Sequence, residues 1–380
     1  MPSPTSAVYV HVPFCRSLCA YCDFYSVTAD SRDMAPLVEA LVSEVNQRAG
    51  ACELAVETIY VGGGTPTVLP APLLGRLLGL LAGLPRGDGA LEFTVEANPA
   101  TVTPETAETL AHAGVNRVSI GAQSFDQGEL RTLGRTHLPA DVAETVAACR
   151  RVGIDNISLD LIFAIPGQTV ASWRASLEAA LALEPQHISC YSLTYEEGTR
   201  LTGLRNSGRV QPIDEETDTC LFELTIELLT GAGFEHYEIS NFARPGARCR
   251  HNLTYWLCRP YLGIGPAAAG LLGNMRYKNV ADVAGYVAAI QAGQLPMVEQ
   301  ERRSVDELAR EAAMLGLRLI EGLDRNRFRA DFGHDPLEFF PDAVRRNVER
   351  GLVTVSDRSV RLTRQGLLLA DDVVADFLCC

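Results

Sequence analysis

The sequence predicts an α/β protein, built as an incomplete (β/α)6 barrel that is followed by a small C-terminal winged-helix-like α+β domain. Up to about residue 240, short apolar runs alternate with longer runs of helical period. This alternation indicates parallel strands joined by right-handed helical crossovers. After residue 300 the pattern changes to two helices, a short hairpin and a last helix. Six strand–helix units favour an open barrel over a closed eight-stranded one, and a doubly wound sheet remains the competing topology.

The predicted strands of the first region are separated by helical segments. The strands are Ala7–Val12, Glu57–Val61, Leu91–Glu96, Asn116–Ile120, Asn156–Phe163 and Gln186–Leu193. The clearest helical patterns between them are Met34–Arg48, Pro104–Ala113, Pro139–Arg151 and Val170–Leu183. Because ligands collect at the carboxyl ends of parallel strands in either topology, residues that follow these strands are candidates for a binding site.

The strand–helix alternation stops after Gly233. Residues 234–273 are rich in glycine, proline, arginine and aromatic residues without a clear period, which favours a covering segment or ligand-contacting loop. Beyond it, the pattern predicts helices over 306–320 and 342–350, strands over 352–356 and 360–363, and a helix over 364–378. The predicted division of the chain is a barrel domain (1–240), a covering segment (241–300) and a C-terminal domain (301–380).

Composition excludes several classes of protein. The net charge of −14 argues against a broad nucleic-acid interface, even for a winged-helix-like domain. The N-terminus lacks a basic segment followed by an apolar run, and no apolar stretch is long enough for a membrane span. Eleven cysteines in a chain of 380 residues therefore do not indicate a secreted disulfide scaffold. We expect a cytoplasmic protein whose reduced thiols are available to metals.

Three cysteines follow the first predicted strand at the spacing C-x3-C-x2-C: Cys15, Cys19 and Cys22. Thiolates suit zinc, copper(I) or iron–sulfur clusters. Iron–sulfur clusters are commonly held by four cysteines, so three leave one position open, as at catalytic metal centres. The residues alone leave two alternatives open. The thiols are apolar core residues, or they form a structural zinc site with His11 as the fourth ligand.

Glycines and polar residues end the next predicted strands. The run Gly62-Gly63-Gly64-Thr65 lets the backbone approach a ligand closely, although it is neither a dinucleotide fingerprint nor a Walker loop. Glu96, at a strand end, is placed to accept hydrogen bonds from ribose hydroxyls, and Gln123 and Asp160 end the next two strands in a similar way. Arg135 is a candidate for pairing with a carboxylate. The alternatives are a tight turn and solvated polar residues.

Taken in order, these residues resemble the motifs of the coproporphyrinogen III oxidase-like radical S-adenosylmethionine (SAM) family over nearly the whole chain. The resemblance implies a radical SAM barrel in which Cys15, Cys19 and Cys22 hold a [4Fe-4S] cluster and SAM chelates the fourth iron. It also implies SAM contacts at Tyr9, Gly63, Gly64, Thr65, Glu96, Gln123, Arg135 and Asp160.

Two features separate the members of this family. The oxidases resemble C-x3-C-x2-C-x-C, whereas this chain has Phe24 at the position of the last cysteine. Phe24 is similar to the pattern of HemW-type haem chaperones, and the run from His251 to Trp256 matches their H-N-x-x-Y-W motif. The resemblance therefore favours a haem chaperone over an oxygen-independent coproporphyrinogen III dehydrogenase, and no catalytic residue is assigned.

The H-N-x-x-Y-W motif predicts a haem site. Its members are His251, Asn252, Tyr255 and Trp256. Histidine is a standard axial ligand of haem iron, and aromatic rings offer flat apolar faces to a porphyrin. The neighbouring arginines are hypothetical partners of the haem propionates, because guanidinium pairs bidentately with carboxylate. These arginines are Arg244, Arg248, Arg250 and Arg259. The alternative is a surface loop with solvated arginines and a hydrogen-bonded histidine.

One position departs from the family pattern. Where many relatives have a histidine after the motif, this chain has Ala269. If that histidine assists haem ligation or SAM contact in the relatives, five-coordinate haem or ligation by another side chain follows here. Cys249 and Cys258 flank the motif and are candidates to ligate or attach haem. Four further cysteines are predicted in the apolar core: Cys52, Cys149, Cys190 and Cys220. Cys379 and Cys380 end the sequence without an assigned role.

The functional prediction is a haem chaperone with a [4Fe-4S] cluster, SAM, and haem as cargo. Its predicted partner is an acceptor haemoprotein. A peripheral location of the chaperone at the membrane and a homodimer are both left open. Whether SAM is cleaved is also left open. The enzymatic alternative is radical SAM decarboxylation of coproporphyrinogen III, and a third hypothesis is a zinc-binding interaction protein.

Overall fold

The computed structural model describes residues 4–30 and 33–378. Nine strands form its main sheet. They are β1 (Thr5–Val12), β2 (Leu54–Gly63), β3 (Glu92–Ala97), β4 (Arg117–Gln123), β5 (Asn156–Phe163), β6 (His187–Ser192), β7 (Glu235–Glu238), β8 (Asn241–Ala243) and β9 (Leu262–Ile264). Their order across the sheet is β9-β1-β2-β3-β4-β5-β6-β8-β7.

Strand direction in the main sheet follows the predicted α/β pattern. All pairs from β9 to β6 are parallel, whereas β8 pairs antiparallel with both β6 and β7. In the described part of the chain, the two outer strands, β7 and β9, do not pair with each other. The sheet is therefore open, and the prediction of an incomplete (β/α) barrel in place of a closed eight-stranded one is confirmed.

Helices cover the outer face of this sheet. They are Ala35–Ala51, Ala71–Ala82, Pro104–His112, Pro139–Arg151, Val170–Ala182 and Glu215–Gly231. The short helices Gln127–Thr132 and Arg200–Asn206 lie instead beside a smaller core that includes Ala20, Leu133 and Leu201. Because helices cover this face of the sheet, the alternate strand residues that point to it are apolar. In β1, for example, Val8, Val10 and Val12 are completely buried. The other face encloses the polar side chains that form the candidate site.

The prediction of a loop over residues 234–273 was wrong. This segment adds β7, β8 and β9 to the main sheet and forms the helix Arg250–Trp256. These strands have only three or four residues, which is too short for a recognisable period. A separate antiparallel sheet follows, made of Ala269–Leu272, Met275–Asn279 and Met297–Arg302, with the helix Val283–Gln291 between its last two strands.

The C-terminal domain has its own hydrophobic core, which includes Leu317, Phe328, Phe340 and Phe377. Its helices are Val305–Gly316, Arg325–Phe332, Pro336–Phe339, Pro341–Glu349, Arg364–Leu368 and Ala370–Leu378, and its strands are Leu323–Asp324, Val353–Val355 and Ser359–Leu362. The predicted hairpin is present, whereas the single last helix is broken at Leu369. Cys379 and Cys380 lie outside the described residues.

Within the described ranges, no helix combines the length and apolarity that a bilayer crossing needs.

Candidate functional site

The three clustered cysteines lie in the loop that follows β1. Cys15 ends the two-residue strand Phe14–Cys15, which pairs with Val27–Thr28 and so closes the loop. All three thiols line one cavity of about 440 Å³, called the cluster cavity below. Desolvation raises the pKa of Cys15, and it raises that of Cys22 to about 11. These two thiols are therefore protonated at neutral pH until a metal displaces the proton.

The zinc alternative depends on a fourth ligand beside the three thiols. Among the described residues, no three His, Cys, Asp or Glu side chains converge as they do around one metal ion. His11 is not available as a fourth zinc ligand, because its Nδ1 is 2.9 Å from the Tyr9 hydroxyl and its Nε2 is 2.8 Å from the Tyr25 carbonyl oxygen. Three thiols spread around one cavity suit a cluster whose cysteines bind different irons.

Arg135 and Thr65 contact the thiols from the cavity wall. Arg135 Nη1 donates to Cys19 Sγ at 3.4 Å, and Thr65 Oγ1 donates to Cys15 Sγ at 3.8 Å. Arg135 Nη2 also donates to the Gly121 carbonyl oxygen at 2.6 Å, which holds the guanidinium at the end of β4. Hydrogen bonds and positive charge beside the sulfurs tune the electronic properties of a bound cluster.

Two carboxylates that line this cavity lie toward the carboxyl ends of β3 and β5, the strands on either side of β4. Glu96, on β3, accepts a hydrogen bond from the Tyr60 hydroxyl at 2.8 Å and one from the Gly63 backbone N–H at 3.0 Å. Asp160, on β5, accepts from Ser119 Oγ at 2.9 Å and from Ser189 Oγ at 2.7 Å. Desolvation raises the pKa of both groups, and that of Glu96 reaches about 7.

The glycine run at the end of β2 allows close packing within the protein. A Cβ on Gly62 would lie 2.7 Å from the Glu96 carboxylate, and one on Gly64 would lie 2.7 Å from the Pro13 backbone. Gly63 has a φ of +106°, which disfavours residues with a side chain. The run therefore brings β2, β3 and the cysteine loop together at the rim of the cluster cavity.

Seven of the eight predicted SAM positions line the cluster cavity. They are Gly63, Gly64, Thr65, Glu96, Gln123, Arg135 and Asp160. Gln123 enters the cavity at an irregularity of the β4–β5 pairing, where its backbone adopts a φ of +63°. Tyr9 is not among the lining residues. Its hydroxyl is hydrogen-bonded to His11.

Sequence reasoning missed several cavity residues, of which Arg117 is the most buried. Arg117 is 2% exposed, and its Nε has no hydrogen-bond partner among the described residues. It shares a face of β4 with Ser119, Gly121 and Gln123, since alternate residues of a strand point to the same side. This period of two was a signal in the sequence. Tyr60, Asn98 and Ser189 also line the cavity.

His251 is the second residue of the short helix Arg250–Trp256, which packs against β2. The Glu92 carboxylate accepts hydrogen bonds from the backbone N–H groups of Arg250 and His251, each at 2.9 Å. This places a negative charge at the positive end of the helix dipole. His251 itself is completely buried, and desolvation lowers its pKa to about 3. The imidazole is therefore neutral in the folded protein.

Both ring nitrogens of His251 have partners. Nδ1 lies 2.9 Å from Thr58 Oγ1, and Nε2 lies 2.9 Å from the Tyr255 hydroxyl. In this conformation both nitrogens are hydrogen-bonded, and the role of His251 as an axial ligand stays a prediction. Of the other motif residues, Asn252 lines the cluster cavity. Trp256 lines a second cavity of about 750 Å³ against the C-terminal domain.

Three of the four arginines near the motif are engaged within the protein. Arg248 pairs with Glu235 and Glu321, and Arg250 pairs with Glu57. The Arg244 guanidinium lies 4.1 Å from the centroid of the Phe234 ring and donates to the Ala232 carbonyl oxygen. Arg259 is exposed. The pairing of these side chains with haem propionates stays a hypothesis, and for the first three it would require the present contacts to be exchanged.

The remaining predictions from sequence have mixed outcomes. Cys149 and Cys190 are buried as predicted, whereas Cys220 is exposed and its assignment to the core was wrong. Ala269 lines neither of the two cavities. The side chain at that position therefore does not determine the shape of either one.

Comparison with protein families gives two matches. Residues 9–180 match the family described as the radical SAM superfamily, and residues 304–369 match the HemN C-terminal domain. The first region covers β1 to β5 of the main sheet, and the second lies within the part of the chain that has its own core.

Among curated proteins, the chain is similar to heme chaperone HemW of Bacillus subtilis, with 36% identity over 98% of this chain and 99% of that protein. It is also similar to heme chaperone HemW of Mycobacterium tuberculosis, with 35% identity over 100% of this chain and 96% of that protein. A solved structure of coproporphyrinogen III oxidase (HemN) from Escherichia coli shares the fold, with a TM-score of 0.86 and 22% identity over 99% of this chain and 91% of that one.

Proposed function

We propose that this chain, which belongs to the HemW family within the radical SAM superfamily, is a haem chaperone that binds haem and passes it to acceptor haemoproteins. The observation that carries the proposal is similarity to heme chaperones over the full length of both chains. The cluster loop supports it, because Phe24 stands where the oxidase-like pattern has a further cysteine.

The cluster cavity supports binding of a [4Fe-4S] cluster and SAM. Cys15, Cys19 and Cys22 hold the cluster, which together with SAM supplies one-electron reductive chemistry when both are bound. Seven protein groups of the predicted SAM set already surround the same space. Glu96 and Asp160 provide acceptors for hydroxyl and ammonium groups, and the Arg135 guanidinium provides a donor for a carboxylate.

Delivery of haem needs a partner. We propose a haemoprotein acceptor at the cytoplasmic face of a membrane, approached by a chaperone that itself is only peripherally associated.

Neither the cluster cavity nor the second cavity includes a ring nitrogen of His251 in its lining. Ligation of haem by His251 would require the helix Arg250–Trp256 to leave its hydrogen-bonded position.

Two measurements on one sample test this function. The protein is purified anaerobically, its cluster is reconstituted, and haem is titrated while the Soret band is followed. The same sample then receives SAM, a reductant and coproporphyrinogen III, and protoporphyrinogen IX is measured. A haem chaperone binds haem stoichiometrically and forms no protoporphyrinogen IX above the background. Catalytic turnover of coproporphyrinogen III would instead establish the oxidase.

A further inference from the structure

The second cavity lies between the end of the helix Arg250–Trp256 and the C-terminal domain. Its volume of about 750 Å³ falls within the usual range of small-molecule sites, about 300–1,000 Å³. It shares no lining residue with the cluster cavity. Trp256, Phe328 and Phe332 contribute aromatic surface to its wall. A flat, largely apolar molecule therefore matches its lining.

The charges around this cavity favour an anionic ligand. Its acidic residues are already engaged: Glu321 pairs with Arg248, Asp331 pairs with Arg327, and Asp324 caps the helix Arg325–Phe332. Two further cations also line the cavity, Arg358 and Arg361. Neither has an ion pair or a side-chain hydrogen bond in the part of the chain that the structure describes. Two free guanidinium groups suit a ligand with two carboxylates.

One lining residue is suited to bind iron. Of the described side chains around the cavity, Cys258 is the only one of the types that commonly act as axial ligands of haem, which are histidine, cysteine, methionine and tyrosine. Cys258 directly follows the C-cap of the helix Arg250–Trp256 and has a left-handed backbone with a φ of +48°. Glycine is the usual residue at this position of a helix end, so this chain keeps a thiol at a site that disfavours a side chain.

We propose that the second cavity is the haem site, with the macrocycle against the aromatic wall and its propionates at Arg358 and Arg361. The Cys258 thiol loses its proton to solvent as its sulfur bonds to the ferric iron, and no electron is transferred. This inference rests on the proposed haem-chaperone function and assigns that function to a place in the fold. It also explains how haem binds while His251 stays buried.

The test compares matched variants of the full-length, cluster-reconstituted protein in an anaerobic haem titration. Cys258→Ser should shift the Soret band and weaken haem binding about tenfold, while Cys220→Ser, which removes an exposed thiol elsewhere, should change neither. The pair Arg358→Ala and Arg361→Ala should weaken binding at least about tenfold without moving the Soret band. Arg151→Ala with Arg174→Ala removes the same charge from exposed helix positions and should leave binding unchanged.

The outcomes separate the site from the function. If the wild-type protein binds haem and both the Cys258 and the paired arginine variants bind it with unchanged affinity and spectra, the second cavity is not the haem site, although the chaperone function stands. If the wild-type protein binds no haem, both proposals are wrong. Thermal unfolding of each variant, compared with that of its matched control, identifies losses of affinity that arise from misfolding.

Discussion

The ring of Tyr60 stacks on the imidazole of His251, with 5.2 Å between the ring centroids and 29° between their planes. The hydroxyl of the same tyrosine donates to Glu96 in the cluster cavity at 2.8 Å. Tyr60 therefore contacts both the predicted SAM site and the helix that carries the H-N-x-x-Y-W motif. Tyr60 thus links the motif to the cluster cavity by direct contacts. Its hydrogen bond to Glu96 and its stack on His251 can be tested separately.

Tyr60→Phe should weaken SAM binding while it preserves the stack on His251. One lost hydrogen bond to Glu96 is worth about 1 kcal/mol, which corresponds to about a fivefold lower affinity. Isothermal titration of the cluster-reconstituted protein with SAM measures the change. Tyr195→Phe is the control, because the Tyr195 hydroxyl has no partner among the described residues and Tyr195 does not line the cluster cavity. Equal SAM affinities for wild type and Tyr60→Phe would contradict a role of Glu96 in SAM binding.

SAM binding should strengthen as the pH rises through about 7. Desolvation and the charge of Asp160 raise the pKa of Glu96 to about 7, although Tyr60, Gly63 and Arg117 oppose the shift. Below that pH the Glu96 carboxyl is protonated, and it loses both its negative charge and part of its capacity to accept hydrogen bonds from hydroxyl and ammonium groups. Titrations between pH 6 and 8 should show the rise in wild type, and Glu96→Gln should bind weakly at every pH. A wild-type affinity that is flat across this range would exclude Glu96.

Replacement of any one of Cys15, Cys19 and Cys22 by alanine should abolish the cluster. Each variant removes one of the three protein ligands of a [4Fe-4S] cluster, which should prevent its assembly. If the site bound zinc instead, the iron content would be near zero even in the wild type. Iron, zinc and inorganic sulfide are measured after anaerobic reconstitution. Cys149→Ala and Cys220→Ser should retain full iron and sulfide. Zinc in place of iron in the wild type would restore the zinc-binding hypothesis.

His251→Gln should reduce the loss of stability on acidification. The pKa of His251 in the folded protein is about 3, below its usual value of 6.5, so the native state binds fewer protons than the unfolded state between these pH values. His251 therefore favours folding above about pH 6.5, and this contribution is lost as the pH falls toward 3. Urea unfolding at pH 7 and pH 5 should show a smaller difference for the variant than for wild type.

The same variant has a second readout. Because both ring nitrogens of His251 are hydrogen-bonded inside the barrel, His251→Gln should leave the Soret band of bound haem unchanged. A shifted Soret band, together with an unchanged unfolding transition, would show that His251 leaves its buried position to bind iron.

Gly64→Ala should destabilise the protein, whereas Gly79→Ala should not. A Cβ at Gly64 would lie 2.7 Å from the Pro13 backbone, and backbone cannot give way as a flexible side chain can. Such overpacking costs about 1–3 kcal/mol. Gly79 lies in the helix Ala71–Ala82 with nothing within 4 Å of its Cβ position. Alanine there should raise the free energy of unfolding by about 0.5–1 kcal/mol, because alanine favours the helix more than glycine does. Chemical denaturation of both variants measures the difference, and equal stabilities would show that the rim of the cavity relaxes easily.

The sequence by itself determined the parts of this protein that depend on near neighbours along the chain. The spacing of Cys15, Cys19 and Cys22 places the thiols in one loop, and the alternation of apolar and helical runs requires parallel strands with crossovers. The carboxyl ends of such strands meet at one edge, so Glu96, Gln123 and Asp160 were predictable as one site. Even Arg117 had a signal, because it shares the two-residue period of Gln123.

Only the tertiary structure decided the parts that depend on residues far apart in the chain. His251 is buried because Thr58 and the stacked ring of Tyr60, both on β2, complete its surroundings. Cys258 meets Arg358 and Arg361 at one cavity because the C-terminal domain packs against the end of a helix. Such meetings follow from how whole surfaces pack, and no local pattern of residues encodes them. The C-x3-C-x2-C motif could therefore be predicted from the sequence, whereas the location proposed for haem could not.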